Sequence, residues 1–275
     1  VEATIAVLLF STLPVTIRAV GANPYTIGIF RLAVATAAVA ILLAFRDELR
    51  RLPPRDALRL AVIGLAFFAH WLTLFYAVKI SSASIAAIGQ STYGIDLLLF
   101  AALFTRQRIG PRSIAAVVVA AIGAILVVPE FTFGNKGTIG LTLACVSAAL
   151  YAALPLLHQR WTAIPTATRT LGQFGFALLF FLLFAGRADW SLRPRDWAGL
   201  IYLAAGVTVI GHSLWVRVTT QLPSRTTSIV YYANIPIAVI LGVLLLNEPL
   251  TARMIVGALM IIAGSVYGLA SQVES

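Results

Sequence analysis

The sequence predicts an all-α polytopic membrane protein, with ten transmembrane helices arranged as two inverted five-helix repeats. Three observations carry this prediction. Of 275 residues, 60% are hydrophobic and only 11% are charged, and the mean hydropathy is +0.95, whereas soluble domains carry about a quarter of their residues as charges. Apolar stretches of about twenty residues recur from end to end, each long enough to cross a bilayer as a helix. The two halves of the chain also resemble one another. A β-barrel is excluded, because its strands would alternate apolar and polar residues at period two.

The spans expected in order are 3–20, 24–45, 57–79, 82–104, 112–128, 138–158, 167–186, 196–217, 225–246 and 251–270. Short loops rich in Pro, Arg, Asp and Gly separate them, including Arg46–Asp56, Thr105–Arg112, Pro129–Gly137, Arg187–Asp196 and Asn247–Thr251. The first segment reads as a span rather than a signal peptide, since no cleavage-like site follows it and a counterpart recurs mid-chain. Neither a soluble domain nor a low-complexity linker interrupts the series.

The formal charge of +10 does not indicate nucleic acid, because the arginines sit in interhelical loops, where they set topology. With both termini cytoplasmic, the inner loops of the first five spans receive Arg46, Arg50, Arg51, Arg55, Arg59, Arg106, Arg108 and Arg112. The outer side then receives Arg18, Lys79 and Lys136. The second half is nearly balanced, so the first half carries the orientation. The single cysteine, Cys145, lies within an apolar span and can form no intrachain disulfide.

Shifting the chain by about 141 residues tests for an internal repeat. Leu13-Pro14 falls on Leu154-Pro155, Pro24 on Pro165, Arg112 on Arg253 and Gly123 on Gly264. Pro54-Arg55-Asp56 meets Pro194-Arg195-Asp196 after a one-residue slip. The repeats expected are 1–130 and 137–275. Five spans are an odd number, so the second copy must be inverted across the membrane. That plan recurs in secondary transporters, with the binding site near the midplane where the copies meet.

Further motifs carry a family resemblance. They are Phe30-Arg31-Leu32-Ala33 in the second span, Ile235-Pro236 in the ninth, and Leu246-Asn247-Glu248-Pro249-Leu250-Thr251, followed by Gly257 and Gly264. The chain resembles the EamA-type family of the drug/metabolite transporter superfamily. Two features depart from that pattern in the first half: Ile95 stands where the repeat would place a proline, and Thr105-Arg106-Gln107-Arg108 replaces the acidic turn. The resemblance implies a central cavity built from helices 1, 3, 4, 6, 8 and 9 and the export of small metabolites. In general plan the chain is similar to exporters of aromatic and other neutral amino acids.

The stretch His70–Phe100 concentrates polar groups in two apolar segments, and such groups normally face a bundle interior or a wet cavity. A rise of about 1.5 Å per residue across about 30 Å of hydrocarbon places His70 and Gln90 near the midplane. Ser11, Thr12, Tyr232 and Asn234 fall close by, with Tyr151 slightly nearer the inside and Tyr93 and Tyr231 flanking. Trp71 adjoins His70, while His212 and Trp215 are expected nearer the cytoplasmic face. Amides, hydroxyls and an imidazole among rings suit a neutral or zwitterionic solute. The expected substrate-binding residues are therefore Ser11, Thr12, His70, Trp71, Gln90, Tyr93, Tyr151, Tyr232 and Asn234.

Each has a plainer competing role. Ser11 and Thr12 can bond their own helix, His70 can bridge two helices, and a buried amide needs partners whether or not it binds a ligand. Tyr25, Trp161, Trp190 and Trp197 read as interfacial aromatics. Arg31 reads as structural, satisfying carbonyls at the repeat interface. Asp96 is a proton-coupling candidate near the inner third, within approach of Arg106 or Arg108. Pro14 and Pro155 interrupt helical hydrogen bonding in equivalent spans, so they read as gating positions or static kinks.

The function expected is alternating-access export of small organic metabolites, aromatic or other neutral amino acids foremost, across a bacterial inner membrane. The partners expected are that small-molecule substrate and the lipid bilayer, with no nucleic acid, no cofactor and no metal; the assembly expected is a monomer or weak homodimer. One alternative is a carrier of nucleotide-sugars or phosphorylated metabolites, against which stands the single intramembrane base, Arg31. Another is a membrane-embedded enzyme, against which stand the absence of HExxH and GxSxG and the scattered His70, His158 and His212.

Overall fold

The structure is a computed structural model that describes residues 1–47, 52–105, 111–128, 132, 134–215, 218 and 232–271. All regular structure among them is helical. The helices are α1 (Glu2–Ala19), α2 (Pro24–Phe45), α3 (Pro54–Ile80), α4 (Ala83–Gln90), α5 (Tyr93–Thr105), α6 (Pro111–Val127), α7 (Lys136–Arg160) and α8 (Thr166–Leu182). There follow α9 (Pro194–Ile201), continued by a π-helical segment (Tyr202–His212), then α10 (Asn234–Leu246) and α11 (Ala252–Ser271). Among the described residues, five helices are long and apolar enough to cross a membrane: α1, α2, α3, α7 and the run Pro194–Trp215. Shorter apolar helices cover Ile114–Val127, Asn234–Leu246 and Ala252–Tyr267. Much of the outward surface is aliphatic, with Leu103, Leu244, Leu245 and Leu259 all more than half exposed. An apolar surface of that extent needs lipid rather than water around it.

Local chemistry sets the helix starts. Asn23 precedes Pro24, and its side-chain oxygen accepts from the Tyr25 and Thr26 amides, both at 3.0 Å. Asn135 does the same for Gly137 at 2.7 Å. Such caps satisfy amides that have no partner within the helix, and the fixed φ of proline suits the first helical position. At the far end of α10, Asn247 takes φ 52° and ψ 36°, a left-handed stop that Asn tolerates.

Glycine permits the closest helix contact. A Cβ on Gly123 in α6 would lie 2.7 Å from the Gly257 carbonyl oxygen of α11, and one on Gly264 the same distance from the Ala116 oxygen. The other main pairings set α3 against α7 and α8, α2 against α8, α1 against α10, and α4 against α7.

Two spans expected to be continuous are not regular α-helices. The fourth breaks at Ser91-Thr92, between α4 and α5, where the Ser91 and Thr92 amides reach back only three residues, to the Ile88 and Gly89 carbonyls at 3.0 and 3.2 Å. Side chains satisfy the interruption. The Ser265 hydroxyl of α11 donates to the Ser91 carbonyl at 3.0 Å, and the Thr92 hydroxyl donates to the Gly89 carbonyl at 3.1 Å. Irregular backbone deep in an apolar bundle persists only with such partners. The eighth span is π-helical through its middle, and π segments commonly mark functional positions.

Candidate functional site

At the break in the fourth span, polar side chains dock on α7. His70 and Ser147 interlock: the Ser147 hydroxyl donates to the His70 carbonyl at 2.9 Å, and His70 Nδ1 lies 2.9 Å from the Ser147 carbonyl and 2.8 Å from its hydroxyl. Because the hydroxyl proton is already directed at a carbonyl, Nδ1 is the ring's N–H and Nε2 keeps its lone pair. One turn earlier on α7, the Gln90 amide donates to the Ala144 carbonyl at 3.2 Å. His70 stacks on Tyr151 with centroids 4.7 Å apart at 24°. Tyr151 in turn meets Tyr93, the first residue of α5, at 5.3 Å. His70, Gln90, Tyr93 and Tyr151 therefore form one polar and aromatic layer joining α3, α4, α5 and α7.

A second cluster adjoins it through α3. Trp71 is buried against Phe67 (4.7 Å) and Phe75 (5.4 Å). The His212 ring lies 6.1 Å from Phe67, 6.3 Å from Trp71 and 5.1 Å from Phe10. His212 thus belongs to the central layer rather than nearer one face. Counting at the α-helical rise misplaces it, because i→i+5 bonding packs more residues into each unit of length.

Arg31 is also here, and it does not satisfy carbonyls as expected. Its Nε donates to the Thr208 hydroxyl at 2.9 Å, and that hydroxyl donates to the Leu203 carbonyl at 2.8 Å, five residues back in the π-helical segment. The guanidinium carbon stands 4.0 Å above the Trp71 centroid and 5.4 Å from that of Phe75. The residue is wholly buried, and Nη1 and Nη2 have no hydrogen-bond partner among the described residues. Burying such an ion costs several kcal/mol. A desolvated cation–π contact returns about 2 kcal/mol, and one bond to a charged donor about 1.5–3 kcal/mol. The unpaired Nη groups remain a net cost.

The other expected residues are placed as follows. Ser11 is buried but bonds its own helix, donating to the Val7 carbonyl at 2.7 Å. Thr12 lies 2.6 Å from the Tyr202 hydroxyl, and Tyr202 is 37% exposed, so this pair sits at the periphery. Tyr232 and Asn234 are buried at the start of α10, where Gly94 makes room for the Tyr232 hydroxyl: a Cβ there would collide with it. Asp96 accepts from the Thr92 hydroxyl at 3.0 Å within its own turn. Arg106, Arg108 and Tyr231 lie outside the described residues. Pro14 and Pro155 sit inside unbroken helices, where each leaves the carbonyl four residues earlier, Phe10 or Tyr151, without its helical donor. Tyr25 is buried edge-on to Tyr76 at 6.0 Å rather than interfacial. The groove between α2 and α8 lined by Thr36, Leu43, Gly172 and Leu179 holds none of these polar groups.

One end of the bundle is knit together, within the first half and across the two halves. The Arg18 guanidinium donates to the Lys79 carbonyl at 2.6 Å, and the Lys79 ammonium to the Val20 carbonyl at 2.5 Å. Asp196 accepts from the Gly21 amide at 2.8 Å, and the Thr26 hydroxyl donates to the Asp189 carbonyl at 2.8 Å. Glu248, just past α10, accepts from the Ala83 and Ser84 amides at 2.7 and 2.9 Å and from the Ser84 hydroxyl at 2.6 Å. Sequence inspection singled out Glu248 only as part of a motif. Its target, the start of α4, is 164 residues away.

The EamA-like transporter family matches this chain over residues 2–128 and again over 138–268. The chain belongs to the EamA-like transporter family. An uncharacterized transporter of Clostridium kluyveri is 24% identical over 238 residues, covering 80% of this chain and 75% of its own. One from Archaeoglobus fulgidus is 26% identical over 249 residues, covering 88% and 87%. The uncharacterized transporter YetK of Bacillus subtilis is 26% identical over 209 residues, and the match spans 63% of YetK's length. A protein crystal structure 19% identical to this chain shares its fold, with a TM-score of 0.66 over 98% of this chain and 96% of its own. This EamA-like transporter is accordingly a multi-pass membrane protein, and its apolar exterior is its lipid-facing surface.

Proposed function

We propose that this EamA-like transporter is an alternating-access carrier exporting small organic metabolites, aromatic or other neutral amino acids foremost, across a bacterial inner membrane. Its two inverted repeats, residues 1–130 and 137–275, rock about the central layer, both termini are cytoplasmic, and the protein works as a monomer or weak homodimer. The single observation that carries this reading is the layer itself: His70, Gln90, Tyr93 and Tyr151 gathered at an interrupted span. Interrupted helices at the junction of repeats are where secondary transporters bind solute.

Pairwise packing supports the repeat. A shift of about 141 residues carries Phe10 onto Tyr151 and His70 onto Gly211, the neighbour of His212. The contact Tyr151–His70 at 4.7 Å accordingly has a mate, Phe10–His212 at 5.1 Å. Likewise Gly123 against Gly257 mirrors Gly264 against Ala116. Under the orientation set by the loop arginines, the knit end faces outward, so the path is closed there.

The test is counterflow in proteoliposomes with labelled amino acids. Exchange should occur, and His70→Ala and Gln90→Ala should each lower it at least about tenfold, because each removes a polar side chain that joins the layer to α7. Absence of any metabolite exchange, or unchanged flux in both variants, refutes the assignment.

A further inference from the structure

We propose that Arg31 is the anion-recognition residue of the translocation path and that the solute presents a carboxylate to its Nη1 and Nη2. This rests on the carrier reading above and extends it to the chemistry of the solute. The guanidinium is held on two sides. Its Nε is bound to the Thr208 hydroxyl at 2.9 Å, and its guanidinium carbon lies 4.0 Å from the Trp71 ring centroid. What remains is the outer fork, and both of its nitrogens are buried without a partner among the described residues. A fork so pinned offers parallel N–H groups in the spacing of a planar carboxylate.

Among the described residues no carboxylate of the protein answers it. Asp96 accepts from Thr92, Glu248 caps α4, Asp196 is bound by Arg193 and Gly21, and Asp56 pairs with Arg59. A buried cation lacking an internal counter-ion is stabilised when an external one arrives, which converts a folding cost into binding affinity. Around the fork stand Trp71, Phe75 and, beyond Trp71, Phe67 and His212, so an anion here would have its apolar part against rings. Lys79 and Arg18 are engaged with carbonyls, so among the described residues the cation against Trp71 and Phe75 is that of Arg31 alone. That suits the single charge of a carboxylate better than a phosphate ester.

The test compares amino acids with their own carboxamides, with L-phenylalanine and L-phenylalaninamide as the leading pair and phenyl phosphate as a third probe. Two readouts are taken: competition in proteoliposome counterflow, and thermal stabilisation of the purified full chain. In the unmodified protein the amide should compete at least about 30-fold more weakly than the acid, the lower range for unpairing a buried charge. Arg31→Gln should abolish that difference, and Arg31→Lys, which keeps the charge but not the fork, should retain part of it. An amide that competes as well as its acid, preference for phenyl phosphate, or discrimination that survives in Arg31→Gln overturns the proposal. If Arg31→Gln does not fold, the acid-to-amide ratio in the unmodified protein decides alone. Amino-acid flux without discrimination leaves the carrier reading standing and removes only the carboxylate. Failure of every probe in both readouts removes both.

Discussion

Glu248→Ala should unfasten the start of α4. The first three amides of that helix are all satisfied by side chains: Ile85 by the Ser82 hydroxyl at 3.0 Å, and Ala83 and Ser84 by the two Glu248 oxygens at 2.7 and 2.9 Å. Removing the carboxylate orphans two amides and the Ser84 hydroxyl, and also withdraws a negative charge from the positive end of a helix. Bonds to a charged acceptor contribute about 1.5–3 kcal/mol each, and the helix-end charge about 0.3–1 kcal/mol. Glu248 is only half-buried, and water replaces part of what is lost, so we expect a local loss of about 2–3 kcal/mol. That corresponds to roughly 30- to 150-fold faster amide exchange at Ala83 and Ser84 through local opening. Hydrogen exchange resolved to these residues, on the purified protein in detergent or nanodiscs, measures it. Ser82→Ala provides the contrast, with a loss of about 1 kcal/mol centred on Ile85. Unchanged exchange at 83 and 84 in Glu248→Ala would show that the latch does not hold this helix. If exchange instead rises uniformly along the chain, the residue supports global stability rather than this junction.

Two further substitutions probe the packing. Gly123→Val places a side chain where a Cβ alone would meet the Gly257 oxygen at 2.7 Å. It should cost about 1–3 kcal/mol by overpacking, read as a lower Tm, while Gly186→Ala, with nothing within 4 Å of its Cβ, should leave Tm unchanged. Gly94→Ala should be destabilising through collision with the Tyr232 hydroxyl, and Tyr232→Phe should rescue it. A double-mutant cycle should return a coupling of at least about 1 kcal/mol, and additive effects would show that the two residues are not in contact.

Sequence and structure agree where periodicity and composition decide, and part where a local departure from the α-helix decides. The apolar segments, the helix start at Pro24, and the motif Leu246–Thr251 were legible because length, hydropathy and capping chemistry act within a few residues of one another, whereas α3 begins at Pro54, three residues before the span expected at 57. His70, Gln90, Tyr93 and Tyr151 were legible together because depth along a regular helix is arithmetic. That arithmetic failed for His212, displaced by the π-helical segment, and for Thr12, whose depth was suitable but whose direction pairs it with the exposed Tyr202. Arg31 was visible from the outset as an intramembrane base. That its Nη groups find no partner among the described residues was not, since a one-dimensional reading supplies carbonyls that the described fold does not bring near.

By itself, then, the sequence determined the class: an apolar helical chain whose charges lie in short loops, carrying a family's motifs in both halves. Hydrophobic length and turn chemistry are local quantities, and both can be read in order along the chain. Only the tertiary structure decided that α7 receives both His70 and Gln90 one turn apart, at Ser147 and Ala144, that Glu248 caps a helix 164 residues distant, and that the Arg31 fork has no carboxylate within the described fold. Each of these depends on direction and on which helices become neighbours. Those are set by the packing of small residues such as Gly123 and Gly264 and by the break at Ser91-Thr92, where the Ser265 hydroxyl of another helix, together with the nearby Thr92 hydroxyl, holds the backbone.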